Sequence, residues 1–163
     1  MGITDLEADL FAEWSERRPG FIADGVVDEA GYNSSSPRIL FVLTGVNPPK
    51  DCGRDLRRFL RSGGRRKPWN TVARWTMGIQ EFLQKGTITD WRNLEVIDIY
   101  QRVEALRSAC VVNLGKCRAS GTKVREELKA IVREDREFAQ RQFGFYDPDY
   151  VICCGEEVDF LLA

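Results

Sequence analysis

The sequence feature that most constrains the fold is an uninterrupted apolar run at residues 39–43, which stops at the loop 44–49 (TGVNPP). Five consecutive apolar residues leave no face for solvent, so the run predicts a strand that is buried on both faces. Strands of this kind belong to parallel sheets in α/β proteins, where ligands bind beyond the carboxyl ends of the strands. The loop 44–49 is therefore the first candidate for a functional site.

Two further apolar runs, 110–114 (CVVNL) and 150–154 (YVICC), predict the other strands of the sheet, and each is followed by a glycine. Helical patterns lie between the runs, at 54–61, from Asn70 or Thr71 onwards, at 91–109 and at 122–142. Strands that alternate with helices predict an α/β fold, in which a short parallel sheet lies between two layers of helices.

Two helical patterns carry apolar stripes. Residues 4–7 (TDLE) predict a capping box at the start of a helix. The core side of this helix is predicted to carry Leu6, Leu10, Phe11 and Trp14. The buried stripe of the helix after Asn70 is predicted to consist of Val72, Trp75, Ile79, Phe82 and Leu83.

The length and composition limit the class of protein. A chain of 163 residues with 43% hydrophobic side chains is long enough and apolar enough for one domain with a substantial core. Its apolar runs are far shorter than the roughly 20 residues that span a bilayer. Its first residues lack the basic start and apolar stretch of a signal peptide. We therefore expect a single domain at 1–163, located in the cytoplasm, with no membrane partner.

The five cysteines and the lack of histidine bear on metals and on catalysis. The cysteines show no paired C-x-x-C spacing, and three lie in apolar runs, where reduced cysteine packs as a small hydrophobe. We interpret them as reduced residues, with zinc or iron–sulfur ligation as the alternative. Without histidine, acid–base chemistry would need carboxylates, Lys, Tyr, Cys or a positioned water. We predict no cofactor and no metal.

A basic segment follows the first predicted strand. Residues 54–67 contain seven basic side chains against one acid, Asp55. The basic residues are Arg54, Arg57, Arg58, Arg61, Arg65, Arg66 and Lys67. Because the formal net charge of the chain is only −1, this local excess predicts an anionic partner. A solvated helix face followed by a flexible loop is the alternative.

Two asparagines stand at predicted strand ends. Asn47 follows the first strand and Asn113 lies at the end of the second. Since the carboxyl ends of parallel strands meet at one edge, these amides are expected to face each other across a cleft. An asparagine amide both donates and accepts hydrogen bonds, which suits recognition of a nucleobase edge. Alternatively, each asparagine satisfies the backbone of its own loop.

These strand ends resemble motifs of the uracil-DNA glycosylase superfamily. Residues 45–48 (GVNP) resemble the Gly-Ile-Asn-Pro form of its first motif, found in the mismatch-specific uracil/thymine glycosylases. Residues 111–114 (VVNL) resemble its second strand, whose terminal asparagine reads the pyrimidine edge, and 148–155 (PDYVICCG) resemble its third. The order and rough spacing also match, so the resemblance covers about residues 38–158.

The resemblance implies a role for each matched position. Asn47 would position the water that attacks the anomeric carbon. Gly45, Val46 and Pro48 would line the base pocket, and Asn113 would pair with a base flipped out of the DNA stack.

Other positions are candidates for contacts with DNA. The basic segment 54–67 would contact phosphates, with an affinity that falls as salt rises. An aromatic side chain would stack on the base. Tyr32, Trp69 and Tyr100 are the candidates, and packing in the core or on the rim is the alternative for each.

Two features depart from the superfamily pattern. Its last motif follows a fourth strand, often begins with His-Pro-Ser and supplies the loop that wedges into DNA, but residues 1–163 do not contain it. Pro49 also replaces the small or aromatic residue that usually ends the first motif. We therefore expect a domain truncated before its fourth strand. Its third strand, 150–154, would then be an exposed edge that promotes self-association.

Three functional hypotheses follow. The first is a uracil-DNA glycosylase-like enzyme that hydrolyses the N-glycosidic bond of a flipped uracil or related base. The second is a non-catalytic member of the same fold that binds nucleic acid or a nucleotide. The third is an unrelated flavodoxin-like module that binds a phosphorylated ligand, although the loop 44–49 lacks the Gly-rich or Ser/Thr-rich phosphate cradle of such sites.

Overall fold

A four-stranded sheet organises the molecule in the computed structural model, which describes residues 1–45, 53–64, 67–117, 124–155 and 158. The strands are β1 (Gly25–Val26), β2 (Ile39–Gly45), β3 (Ala109–Gly115) and β4 (Tyr150–Cys154). Their order in the sheet is β1-β3-β2-β4. β2 pairs in parallel with β3 and β4, while β1 pairs antiparallel with β3. The predicted α/β class and the short, mainly parallel sheet are confirmed.

The three predicted strands form where the apolar runs lie. β3 is buried along its whole length and β2 over its first four residues, as expected for strands covered on both faces. The register places Gly45 beside Gly115, and Leu43 beside both Asn113 and Cys154. The carboxyl ends of β2, β3 and β4 therefore lie at one edge of the sheet, which we call the carboxyl edge.

Helices cover both faces of the sheet. They are α1 (Ile3–Arg17), α2 (Glu29–Ser34), α3 (Leu56–Arg61), α4 (Lys67–Lys85), α5 (Trp91–Glu95), α6 (Ile99–Arg107), α7 (Val124–Glu134) and α8 (Arg136–Phe143). Side chains of α3, α4 and α6 pack with Ile39, Phe41 and Val111 of the sheet. Side chains of α2 and α7 pack with Leu40 and Val42 on the opposite face, and α1 packs against α8.

The prediction of the buried stripe on α4 is wrong for three of its five residues, which are exposed. The helix buries Trp69, Val72, Ala73 and Thr76, whereas Trp75 is 55% exposed, and Phe82 and Leu83 are 45% and 46% exposed. Two apolar stripes run along this helix, and only one of them can face the sheet. The short helix α5 packs near the other stripe, with Leu94 against Gly78.

The two longest predicted helices are each divided. The pattern over 91–109 forms α5 and α6, because Asp98 accepts a hydrogen bond from the backbone N–H of Gln101 and starts a new helix there. The pattern over 122–142 forms α7 and α8, which meet at Asp135. Among the described residues, no helix is long and apolar enough to cross a membrane.

Candidate functional site at the carboxyl edge

Close packing of glycines shapes the carboxyl edge. A Cβ atom on Gly45 would lie 3.0 Å from the Cδ atoms of Leu128 in α7, and one on Gly115 would overlap Leu128 as well. Gly155, which follows β4, has a φ of +125°, in a region that disfavours other residues. Gly45 therefore lies at the predicted edge, where the side chain of Leu128 packs against it. Val46, Asn47 and Pro48 lie outside the described residues.

Asn113 does not lie on an open surface. Its side chain is only 2% exposed, and both of its nitrogen donors bind the same carboxylate oxygen of Asp24. The backbone N–H donates over 2.8 Å and the amide Nδ2 over 3.2 Å. The described partner of the Asn113 amide is thus the carboxylate of Asp24, which is far away in sequence, rather than the backbone of its own loop.

Asp24 is the centre of a buried polar cluster. It is fully buried, and its other carboxylate oxygen accepts from Lys116 Nζ at 2.5 Å and from Gln142 Nε2 at 3.1 Å. Lys116 is equally buried, and its ammonium lies 4.9 Å from the ring centre of Trp14. Burial lowers the pKa of Lys116, while the Asp24 carboxylate opposes that shift.

The cluster continues from Gln142 to α1 and α3. The hydroxyl of Tyr146 accepts from Gln142 Nε2 at 2.7 Å and donates to Glu7 Oε1 at 2.8 Å. Glu7 also accepts from the backbone N–H of Val26 and from Arg57, which binds it at 2.5 Å. Burial raises the pKa of Glu7 above its ordinary value, although Arg57 acts in the opposite direction. We call these residues the Asp24–Glu7 network.

The network ties β1, β3, α1, α3 and α8 together by side chains that are far apart in sequence. Its members are Glu7, Asp24, Asp55, Arg57, Asn113, Lys116, Gln142 and Tyr146. Apart from Asn113 and Arg57, sequence reasoning did not identify these residues as a site. The sequence around Lys116, Asp24 or Glu7 does not indicate that the side chain is buried, because the residues that contact it come from distant segments.

The aromatic candidates for base stacking lie in different places. Trp69 is 8% exposed and belongs to the core cluster of α3, α4 and α6, as the core alternative for this residue expects. A Cβ atom on Gly64 would lie 3.0 Å from the Cβ of Trp69, so the two residues are closely packed. Tyr32 is fully buried, whereas Tyr100 is largely exposed and lines a surface cavity of about 680 Å³.

The basic segment is only partly available to an anionic partner. Arg57 is held between Glu7 and Asp55, with Nη2 2.9 Å from the Asp55 carboxylate, so its predicted phosphate contact is not supported. The remaining described members, Arg54, Arg58, Arg61 and Lys67, are exposed. Arg61 also donates from Nε to the carbonyl of Val27. Arg65 and Arg66 lie outside the described residues.

The described thiols and carboxylates offer no obvious metal site. Within the part of the chain that the structure describes, no three Cys, Asp or Glu side chains are grouped so that they could hold a metal ion. Four of the five cysteines, Cys110, Cys117, Cys153 and Cys154, are not in disulfides, and Cys52 lies outside the described residues.

Comparison with known proteins does not assign the chain to a family. No family model, curated protein or solved structure matches it significantly.

Proposed function

We propose that this chain has a uracil-DNA glycosylase-like fold and hydrolyses the N-glycosidic bond of a flipped uracil or related base in DNA. The observation that carries the proposal is the strand order. The strand before the Asn47 loop, β2, is central, with the Asn113 strand on one side and β4 on the other. The superfamily has this arrangement of its first three strands.

The proposed chemistry uses the carboxyl edge. Asn47, in the loop after β2, would hold the attacking water, because an amide can orient water without ionising. Asn113, at the end of β3, would contact the base edge through the part of its amide that Asp24 leaves unoccupied. The exposed arginines Arg54 and Arg58 would contact the phosphates beside the flipped nucleotide.

A base-release assay tests the proposal. The full chain is incubated with duplexes that contain either a U·G or a T·G mismatch, and abasic sites are revealed by alkaline cleavage. The proposal expects cleavage by the wild type and none by Asn47→Ala. Asn93→Ala is the matched control, since Asn93 is exposed on α5 and far in sequence from both strand ends. Absence of cleavage by a folded wild-type chain on every duplex would remove the enzymatic proposal.

A second candidate is a non-catalytic nucleic-acid-binding protein of the same fold. The low exposure of Asn113 and its two hydrogen bonds to Asp24 favour it, because an amide that is already bound has less capacity to read a base. This candidate expects DNA binding that weakens steeply with salt, without base release. Binding would be insensitive to Asn47→Ala, whereas the enzymatic proposal expects the same variant to abolish release.

A further inference from the structure

A cavity of about 370 Å³ lies between α4 and α5, and its walls are mainly apolar. None of its lining residues belongs to a strand of the sheet or to the Asp24–Glu7 network, so the cavity is separate from the carboxyl edge. Its volume falls within the range of about 300–1,000 Å³ that is usual for small-molecule pockets. The cavity is therefore large enough for a small ligand, and its walls indicate which kind.

Two tryptophans, one on each helix, line the cavity with aromatic surface that the fold leaves uncovered. Trp75 of α4 is 55% exposed and Trp91 of α5 is 61% exposed, although tryptophan is highly buried on average. The partly buried side chains of Ile79 and Leu94 add further apolar wall. An aromatic ring that enters the cavity removes this surface from water and gains ring contacts with the two indoles.

The guanidinium of Arg74, which also lines the cavity, has hydrogen-bonding capacity that the fold does not use. Its Nη2 donates to the backbone carbonyl of Glu95 at 3.1 Å, whereas its Nε is buried and has no partner among the described residues. A guanidinium carries five N–H donors in a planar fork that matches a carboxylate. Because a buried donor without a partner costs free energy, a ligand carboxylate beside Arg74 would be favoured.

Glu95 supplies the opposite charge at the same cavity. Its side chain is exposed, and among the described residues no ion pair joins its carboxylate to Arg74, although Arg74 contacts its backbone carbonyl. Two threonines also line the cavity, but their hydroxyls already donate hydrogen bonds within the protein. The apolar walls therefore carry one positive and one negative side chain that do not neutralise each other.

We propose that the cavity between α4 and α5 binds a small aromatic zwitterion, of which an aromatic α-amino acid is the simplest kind. The ring of the ligand lies against Trp75 and Trp91, its carboxylate accepts from Arg74, and its ammonium lies beside Glu95. A ligand with only one charge meets a protein charge of its own sign, whereas a zwitterion complements both. This binding is independent of the proposed action on DNA and goes beyond it.

Titration of the full chain with L-phenylalanine, followed by calorimetry, is the first test. Three probes each lack one feature: 3-phenylpropionate has no ammonium, phenethylamine has no carboxylate, and L-alanine has no ring. Each is expected to bind at least about tenfold more weakly than L-phenylalanine, because a charge-assisted hydrogen bond or the ring contacts are lost. The inference is overturned if L-phenylalanine does not bind, or if any of the three probes binds equally well.

Two substitutions test the roles of the charges. Arg74→Gln and Glu95→Gln are each expected to lower the affinity for L-phenylalanine by about tenfold. Arg74→Gln should not weaken phenethylamine, and Glu95→Gln should not weaken 3-phenylpropionate, because each probe lacks the group that the substituted residue binds. Arg136→Gln, exposed on α8 and outside the cavity, is the matched control and should leave every affinity within about twofold. If Arg74→Gln and Glu95→Gln bind L-phenylalanine like the wild type, the inference is wrong.

NMR on the unmodified chain locates the ligand and does not depend on whether a variant folds. Addition of L-phenylalanine is expected to shift the Nε–H signal of Arg74 and the indole N–H signals of Trp75 and Trp91. The indole N–H of Trp14 is the internal control and should not shift, because Trp14 is fully buried in the cluster between α1 and α8. Shifts that leave out Arg74 and both exposed tryptophans would place the ligand elsewhere and overturn the inference.

Discussion

Substitution of Lys116 by methionine is expected to destabilise the fold strongly. Lys116 and Asp24 are both fully buried and 2.5 Å apart, so Lys116→Met leaves a buried carboxylate without its counterion. Removal of one partner of a buried pair costs about 3–5 kcal/mol. Methionine retains an apolar contact surface near Trp14, so the loss reports mainly on charge rather than on packing.

The magnitude is large enough to measure by urea denaturation at neutral pH. With a slope of about 1–3 kcal/mol per molar urea, this loss is expected to lower the Lys116→Met midpoint by about 1–5 M. Lys85→Met is the matched control, because the Lys85 side chain is 62% exposed and ion pairs on a solvated helix face contribute little to stability. Its midpoint is expected to change little.

A double-mutant cycle identifies the interaction responsible. Asp24→Asn alone leaves a buried ammonium unpaired, whereas the combination with Lys116→Met removes both charges. The double variant is therefore expected to lose clearly less stability than the sum of the two single losses. The reasoning is refuted if Lys116→Met costs no more than Lys85→Met, or if the single effects simply add.

Three further predictions concern the network, the basic segment and the sheet edge. Because burial raises the pKa of Glu7, its protonation stabilises the fold at low pH, and this contribution is lost as pH rises through the raised pKa. Glu7→Gln should abolish that pH dependence in urea denaturation measured from pH 4.5 upwards. In DNA-binding titrations at several salt concentrations, Arg58→Ala should reduce the salt slope by about one, whereas Arg57→Ala should lower stability without that change, since Arg57 is paired internally. Because Val151 on the edge strand β4 is half exposed, sedimentation at high concentration should show self-association that Val151→Lys suppresses, and a monomeric wild type would contradict this.

The parallel strands could be predicted because their signal is local. Burial on both faces requires a continuous apolar run, and such runs mark β2 and β3 directly. β4 has a similar run, although it is an edge strand with largely exposed residues. The two-residue strand β1 has no such run, and it forms because Gly25 and Val26 pair with Val111 and Cys110. A strand that depends on long-range pairing leaves no pattern in its own sequence.

Helix faces were less predictable than helix positions. α4 carries apolar residues on more than one side, so periodicity alone could not decide between the stripe with Trp75 and the stripe with Trp69. Glu7 shows the same limit for polar residues. It matched the last position of a capping box, but α1 begins earlier, at Ile3, and Glu7 instead faces the interior and binds Arg57 and Tyr146.

The shared strand β3 affects how any result on the candidate site must be interpreted. Asn113 belongs both to the proposed base-reading edge and to the Asp24–Glu7 network, and Lys116 follows only three residues later. Loss of activity in an Asn113 variant could therefore arise from a missing base contact or from a carboxylate that has lost a donor. Stability measured on the same variant separates these causes, because only the second lowers the urea midpoint. A variant that keeps the midpoint of the wild type and loses only uracil preference would assign Asn113 to recognition.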